Sequence, residues 1–120
     1  MKRIIKLRAE VLRDCLWILT DEGTFEEPEY PYENAGLYLS DDLKEELENW
    51  RNWYEKGFDY EYPPDSIEFS EEEQQAFESK GIEIWKKLKK ELDGEFEVQY
   101  KSMLNNKVYT EIEDYLKDFP

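Results

Sequence analysis

The sequence predicts an α/β domain of the α+β type: a small sheet of two to three strands, two long helices packed on one face of it, and a short C-terminal helix. Three observations support this prediction. Apolar and polar residues alternate near both ends of the chain, which is typical of strands with one buried face. Two central segments repeat apolar residues every three or four positions, which is typical of amphipathic helices. The 120 residues are enough for one hydrophobic core, so we expect a single domain spanning residues 1–120.

Two strands are predicted near the N-terminus and one near the C-terminus. In the first, apolar and charged residues alternate: Ile5, Leu7, Ala9 and Val11 with Lys6, Arg8 and Glu10. The second runs from Cys15 to Thr20 and contains the single cysteine, which we interpret as a buried structural thiol. The third follows Gly94, with Phe96, Val98 and Tyr100 on one face. Asp21–Thr24 is predicted to be a turn.

Two long helices are predicted, each with a start signal and an apolar stripe. The first follows Ser40 and runs from Asp41 to about Lys56, with one face formed by Leu43, Leu47, Trp50 and Tyr54. The second begins after Ser70, whose capping box with Glu73 satisfies backbone donors of the first turn. Its apolar stripe is formed by Phe77, Gly81, Ile84, Leu88 and Leu92. The helix continues to a glycine stop at Gly94, and its acidic start and lysine-rich end both suit the helix dipole.

The remaining segments are predicted from turn residues. Residues 25–38 and, after the helix stop at Gly57, residues 58–69 contain prolines and are expected to be irregular. Thr110 and Glu113 are expected to form a second capping box, which opens the C-terminal helix.

The composition favours a folded, acidic protein over a disordered chain. A net charge of −15 and a hydrophobic fraction of 39% are typical of disorder, and the mean hydropathy of −0.95 agrees with them. However, 16% of the residues are aromatic, and disordered chains are poor in aromatic residues. We therefore expect an aromatic core under an acidic surface. The lone cysteine and the lack of a membrane-length apolar run predict a cytoplasmic protein.

The acidic residues are concentrated in the middle of the chain. Residues 14–83 carry 22 acidic and four basic side chains, whereas residues 1–13 have a net charge of +4 and residues 84–120 a net charge of −1. A field of this sign repels nucleic acid and anionic membranes and attracts basic proteins. We therefore expect a basic protein as the partner, with no binding of nucleic acid or membrane.

The sequence argues against catalysis. It contains no histidine, which excludes the commonest general base, histidine-activated nucleophiles and histidine-ligated metals. One cysteine cannot build a thiolate zinc site. Paired carboxylates could hydrolyse glycosides or hold a divalent cation. However, the start of a helix explains Glu71–Glu73 better, and residues 21–27 lack the spacing of a calcium loop. We predict that the protein is not an enzyme and uses no metal or cofactor.

Two irregular segments combine acidic residues with tyrosines, and we predict that they bind the partner. The first offers Glu26, Glu27, Glu29, Tyr30, Tyr32 and Glu33, and the second offers Asp59, Tyr60, Glu61, Tyr62 and Asp65. Tyrosine is enriched among residues that dominate interfaces, and carboxylates pair with Arg and Lys. An alternative of equal weight is that the tyrosines close the edges of the core and the acidic residues form an ordinary solvated surface.

Several of these positions together resemble a family of small acidic bacterial proteins. The resemblance begins with Leu7-Arg8-Ala9-Glu10, Leu16-Trp17, and the helix that carries Trp50 and Tyr54. It continues to about residue 100 through Phe69-Ser70-Glu71-Glu72, Phe77, Gly81, Leu88, Glu91-Leu92 and Glu97-Val98-Tyr100. Family members often have proline before Leu-Trp, where this chain has Cys15, so the second strand is expected to differ. The resemblance implies a role like that of immunity proteins in bacterial toxin systems, including contact-dependent growth inhibition.

The residues and the resemblance together predict an acidic immunity-type inhibitor that binds and neutralises a cognate toxin domain. We expect this toxin to be a basic nuclease, because a nuclease presents positive charge to phosphates. The inhibitor would occupy the nucleic-acid groove or dock beside it. The alternative is a non-inhibitory acidic interaction module, or a nucleic-acid mimic that binds a basic protein.

Overall fold

Five strands form one mixed sheet, which is larger than the predicted sheet of two to three strands. The computed structural model describes residues 3–10, 13–29, 31–56 and 70–119. Its strands are β1 (Arg3–Leu7), β2 (Leu16–Leu19), β3 (Phe25–Glu26), β4 (Phe96–Lys101) and β5 (Val108–Tyr109). They lie in the order β3-β2-β1-β4-β5. The two strands that were not predicted, β3 and β5, form the edges of the sheet.

The central strands of the sheet are the ones that the alternating pattern predicts. β1 pairs with β4 in parallel and with β2 antiparallel, and the register places Ile5 opposite both Val98 and Ile18. These three side chains are buried on one face of the sheet. Alternation therefore predicts the buried face correctly, because successive side chains of a strand point to opposite faces.

Three α-helices and one short 3-10 helix complete the described part of the chain. The helices are α1 (Asp41–Glu55), α2 (Glu71–Glu91) and α3 (Ile112–Asp118), and the 3-10 helix is Tyr32–Ala35. The 3-10 helix and β3 both lie within residues 25–38, which were predicted to be irregular. Val11, Gly57 and residues 58–69 lie outside the described residues.

The start signals of the two long helices are confirmed. The Ser40 hydroxyl accepts the backbone N–H of Leu43 at 3.2 Å, and the Ser70 hydroxyl accepts that of Glu73 at 3.1 Å. The predicted capping box of the C-terminal helix is wrong. Glu111 occupies the N-cap of α3, and no side chain caps it. This helix has seven residues and is held by the packing of buried Tyr115, so it does not depend on a cap.

The long helices pack against each other, and α2 makes the more extensive contact with the sheet. α2 lies against β4, where the Trp85 indole donates to the Val98 carbonyl at 2.9 Å. α1 packs on α2, with Trp50 stacked on Phe77 at 4.4 Å between ring centroids. Near the sheet, the Cys15 thiol donates to the carbonyl of Leu47 in α1 at 3.9 Å. This corrects the prediction that both long helices pack on the sheet in the same way: α2 lies against β4, and α1 packs mainly on α2.

One carboxylate is buried inside this core. Glu78 of α2 is 2% exposed. It accepts hydrogen bonds from the hydroxyls of Tyr100, at 2.5 Å, Tyr115, at 2.9 Å, and Ser102, and from the backbone N–H of Met103, at 3.2 Å. Four donors surround a group that only accepts when ionised, so the network ties α2, β4 and α3 together.

Candidate partner-binding groove

An open groove lies between the start of β2, the 3-10 helix and one face of α1. Its volume is about 510 Å³. Five of its seven charged lining residues are acidic: Asp14, Glu33, Asp41, Glu45 and Glu48, against Lys44 and Arg51. We call it the acidic groove. It is partly open to solvent, so a side chain of a partner protein could enter it.

The floor of the acidic groove is fixed by hydrogen bonds. Asp14 accepts the Tyr32 hydroxyl at 2.8 Å and the backbone N–H of Leu16 at 3.1 Å through one carboxylate oxygen. Tyr32 is 8% exposed. Burial raises the pKa of its phenol, as do the neighbouring Cys15 and Asp14, so Tyr32 remains a neutral donor. The second oxygen of Asp14 is not used in these bonds.

Cys15 belongs to the floor and is not a reactive group. The side chain is 1% exposed, in agreement with its interpretation as a buried thiol. Burial raises the pKa of this thiol, and the neighbouring Asp14 raises it further. The thiolate, which is the reactive form, is therefore strongly disfavoured.

The rim of the groove on α1 is a row of three carboxylates. Asp41, Glu45 and Glu48 are spaced by four and three residues, so they lie on one face of the helix, and all three are exposed. None has an ion pair or side-chain hydrogen bond with another residue in the described ranges. Asp41 suits the helix dipole in the first turn. That explanation does not extend to Glu45 and Glu48, since neighbouring like charges weaken a helix by a few tenths of a kcal/mol.

An ion pair closes one side of the groove. Lys44 of α1 donates to Glu33 of the 3-10 helix. The hydrogen bond from Lys44 lowers the pKa of Glu33, which therefore stays ionised. Because the pair is exposed, water screens it, and a partner charge can compete with either member.

The acidic groove contains part of the first predicted binding segment. Tyr32 and Glu33 line it, and Glu27 adjoins it, because the Glu27 carboxylate accepts the Asp14 N–H at 2.6 Å. Tyr32 supports the groove from below and offers little surface of its own. Glu26 and Glu29 are exposed but do not line the groove. The other predicted residues lie outside the described ranges: Tyr30, Asp59, Tyr60, Glu61, Tyr62 and Asp65.

The apolar pattern of α1 does not identify its carboxylates as part of a site. The apolar stripe of this helix, with Leu43 and Leu47, defined its orientation, and the acidic residues were counted only as overall charge. The signal was present, because Asp41, Glu45 and Glu48 repeat the spacing of four and three that marks the apolar stripe. Asp14 gave no such signal, since its contacts with Tyr32 and Leu16 depend on the fold.

A family model described as Serratia CdiI immunity protein-like matches residues 3–103. The chain belongs to this family. The match covers β1 to β4, both long helices and the complete acidic groove, and it ends before β5 and α3. It confirms the resemblance to immunity proteins of contact-dependent growth inhibition. No curated protein is significantly similar in sequence to this member of the family.

Among the described residues, no helix of this CdiI-like protein combines the length and apolar character needed to cross a bilayer.

Proposed function

We propose that this protein is an immunity-type inhibitor that binds a cognate toxin domain through the acidic groove, and that the toxin is a basic nuclease. Membership of the immunity protein-like family supports the inhibitor role over an enzymatic one. The observation that carries the choice of surface is the row of Asp41, Glu45 and Glu48, three exposed carboxylates without partners among the described residues.

Charge complementarity supports a basic toxin. The 14–83 segment supplies most of the acidity of the chain, and the acidic groove lies within it. A nuclease must present cations to phosphates, and an acidic surface is attracted to the same cations. Such steering mainly raises the association rate, which suits an inhibitor that must find its target quickly.

The geometry of the groove suits capture of Arg or Lys side chains. A carboxylate can accept two parallel hydrogen bonds from a guanidinium group. The row on α1 places three carboxylates at neighbouring positions on one face of the helix. The Tyr32–Asp14 bond holds the floor before the partner arrives, which lowers the entropy that binding costs. Exposed Glu26 and Glu29 extend the same negative surface beyond the groove.

Inhibition of the toxin tests the proposal. The cognate toxin domain, sought first among the neighbouring genes, would be purified, its nuclease activity measured, and the intact protein titrated against it. We expect loss of activity at one-to-one stoichiometry. Recovery of activity at high nucleic-acid concentration would indicate that the inhibitor occupies the nucleic-acid groove, whereas inhibition that nucleic acid does not relieve would indicate docking beside it. Binding without inhibition would favour a non-inhibitory acidic module.

A pair of variants tests which acidic residues take part. Glu45→Gln with Glu48→Gln removes two carboxylates of the groove, and Glu26→Gln with Glu29→Gln removes two from the adjoining surface. We expect the first pair to weaken toxin binding more than the second. If only the second pair weakened binding, the contact would lie on the β3 side of the molecule and outside the acidic groove.

A further inference from the structure

One face of the sheet carries no helix in the described part of the chain. The buried residues of β1, β2 and β4 share one face of the sheet, the face on which α2 lies against β4, and α3 lies on that same side, because Tyr115 contacts Trp85 and Tyr100. The opposite face presents half-buried side chains from four strands: Ile4, Lys6, Trp17, Leu19, Phe25, Glu97 and Gln99. The one carboxylate among these, Glu97, accepts a hydrogen bond from the Gln99 amide at 3.3 Å. We call it the open sheet face. Its chemistry differs from that of the acidic groove.

Two cations lie over aromatic rings on the open sheet face. The ammonium of Lys6 lies 3.8 Å from the centroid of Phe25, and the guanidinium of Arg8 lies 5.3 Å from that of Trp17. Such pairs hold the cations above the rings. Lys101 joins them, because the register that pairs Leu7 with Tyr100 brings Arg8 beside Lys101 at the next position.

This arrangement is unfavourable within the isolated chain. Burial lowers the pKa of Lys6, and the positive charges of Arg8 and Lys101 lower it further. Like charges on neighbouring strands destabilise a sheet. Arg8 is paired with Glu10 at 2.8 Å, but neither Lys6 nor Lys101 has an ion pair with a residue in the described ranges. This is notable in a chain with 31 acidic and 16 basic residues, where partners are plentiful.

We propose that the open sheet face binds a carboxylate-bearing segment of a partner protein, whose acidic side chains lie between Lys6, Arg8 and Lys101. Incoming carboxylates would relieve the repulsion among these cations, and Ile4 and Leu19 give apolar contact beside them. This surface is distinct from the acidic groove and takes the opposite charge, so the proposal does not depend on the identity of the toxin.

The same observations favour a protein segment over nucleic acid. Each aromatic ring has a cation over one of its faces, which leaves less ring surface on which a base could stack. The net charge of −15 repels a polyphosphate at long range. A short segment with few carboxylates experiences less of this repulsion and still pairs with the local cations.

Titration with model ligands tests the proposal. The intact protein, labelled with nitrogen-15, would be titrated with a short peptide of alternating Glu and Tyr, with the same peptide carrying Gln for Glu, and with a short oligothymidylate. We expect saturable shifts of backbone amides in β1, β2 and β4 with the Glu peptide, and weaker binding of the other two ligands. Shifts confined to other elements, tighter binding of the oligothymidylate, or no binding would overturn the proposal.

Matched variants separate local contacts from overall charge. Lys6→Gln with Lys101→Gln should weaken binding of the Glu peptide about tenfold, because two contacting charges are lost. Lys86→Gln with Lys90→Gln removes the same charge from exposed positions of α2 and should change binding less than about twofold. The first pair should change the urea midpoint little, because relief of the repulsion offsets the loss of the Lys6–Phe25 contact. Equal weakening by the two pairs would contradict a local site.

Discussion

Glu78 shows how much of the fold depends on single residues that are far apart in sequence. Its carboxylate accepts three hydroxyls and one backbone N–H, and it lies at the junction of α2, β4 and α3. Burying a carboxylate is costly because the group loses its hydration. Here hydrogen bonds from four donors to its two oxygens replace that hydration. Replacing one of its oxygens by an amide nitrogen would leave the surrounding hydroxyls in place with one acceptor fewer.

We expect Glu78→Gln to lower the free energy of unfolding by roughly 2–3 kcal/mol. The amide keeps one acceptor oxygen, but its NH₂ group is a donor and cannot accept a hydrogen bond from the neighbouring hydroxyls. Some of these buried hydroxyls therefore lose their acceptor. Urea denaturation followed by tryptophan fluorescence measures the change. Glu83→Gln, at an exposed position of the same helix, should cost less than about 0.5 kcal/mol. Equal effects would mean that the buried network adds no stability.

Gly81 is required by the close approach of α2 to its neighbours. A Cβ atom at this position would lie 2.7 Å from the Tyr100 hydroxyl and 2.9 Å from a ring carbon of Trp50. Gly81→Ala should therefore destabilise the protein by about 1–3 kcal/mol, although alanine favours helix by roughly 1 kcal/mol. Thermal unfolding by circular dichroism measures it, with Ser79→Ala as an exposed control. A more stable Gly81→Ala variant would show that the contact is not tight.

Single residues also show which features of the fold cannot be predicted from the sequence. The helical stripe correctly placed Phe77, Gly81, Ile84 and Leu88 toward the core. It could not identify Glu78 as buried, because Glu78 is one acidic residue in an acidic helix and its partners lie 22 to 37 positions away. For the same reason Asp14 was not recognised as part of the groove floor.

At the scale of elements, α1 and α2 are joined by one carboxylate as well as by their apolar faces. Glu46 of α1 accepts Lys80 and Lys87 of α2, each at 2.8 Å. Hydrogen bonds from these two lysines lower the pKa of Glu46 from its ordinary value of 4.5. Folding therefore favours the charged form of Glu46.

This shift predicts how the stability depends on pH. The contribution of Glu46 is complete above its ordinary pKa of 4.5 and is lost as the pH falls through the lower value of the folded state. Glu46→Gln should lower the free energy of unfolding by about 0.5–1 kcal/mol at neutral pH and low salt. The difference from the wild type should shrink as the pH falls below 4.5. Urea titrations across this range measure it, with the neighbouring Glu45→Gln as control, and a difference independent of pH would contradict the assignment.

The elements that could be predicted are those long enough to show a period. β1, β4, α1 and α2 each repeat their pattern over five or more residues, and the structure confirms them. β3 and β5 have two residues each, which is too short for any alternation to be recognised. Their positions depend on pairing with β2 and β4, a long-range property. The start of α3 was misplaced because tertiary packing, and not a local cap, fixes it.

At the scale of the whole molecule, the charges are divided between two surfaces. The helical side carries the acidic groove, and the open sheet face carries Lys6 and Lys101, which have no ion pair with a residue in the described ranges. The sequence predicted the excess of acidic residues in the 14–83 segment and associated it with a basic partner. It could not predict that Asp41, Glu45 and Glu48 would border one groove with Asp14 and Glu33, because this depends on how α1 sits beside the 3-10 helix.

The most direct test of the proposed toxin-binding surface is the association rate with the cognate toxin domain, measured by stopped-flow fluorescence at low and high salt. Glu45→Gln with Glu48→Gln should slow association by roughly threefold to tenfold at low salt, and the difference should shrink at high salt. The control, Glu111→Gln with Glu113→Gln, removes equal charge beside α3 and should stay within about twofold of the wild type. A groove variant with the rate and salt dependence of the wild type would contradict the account.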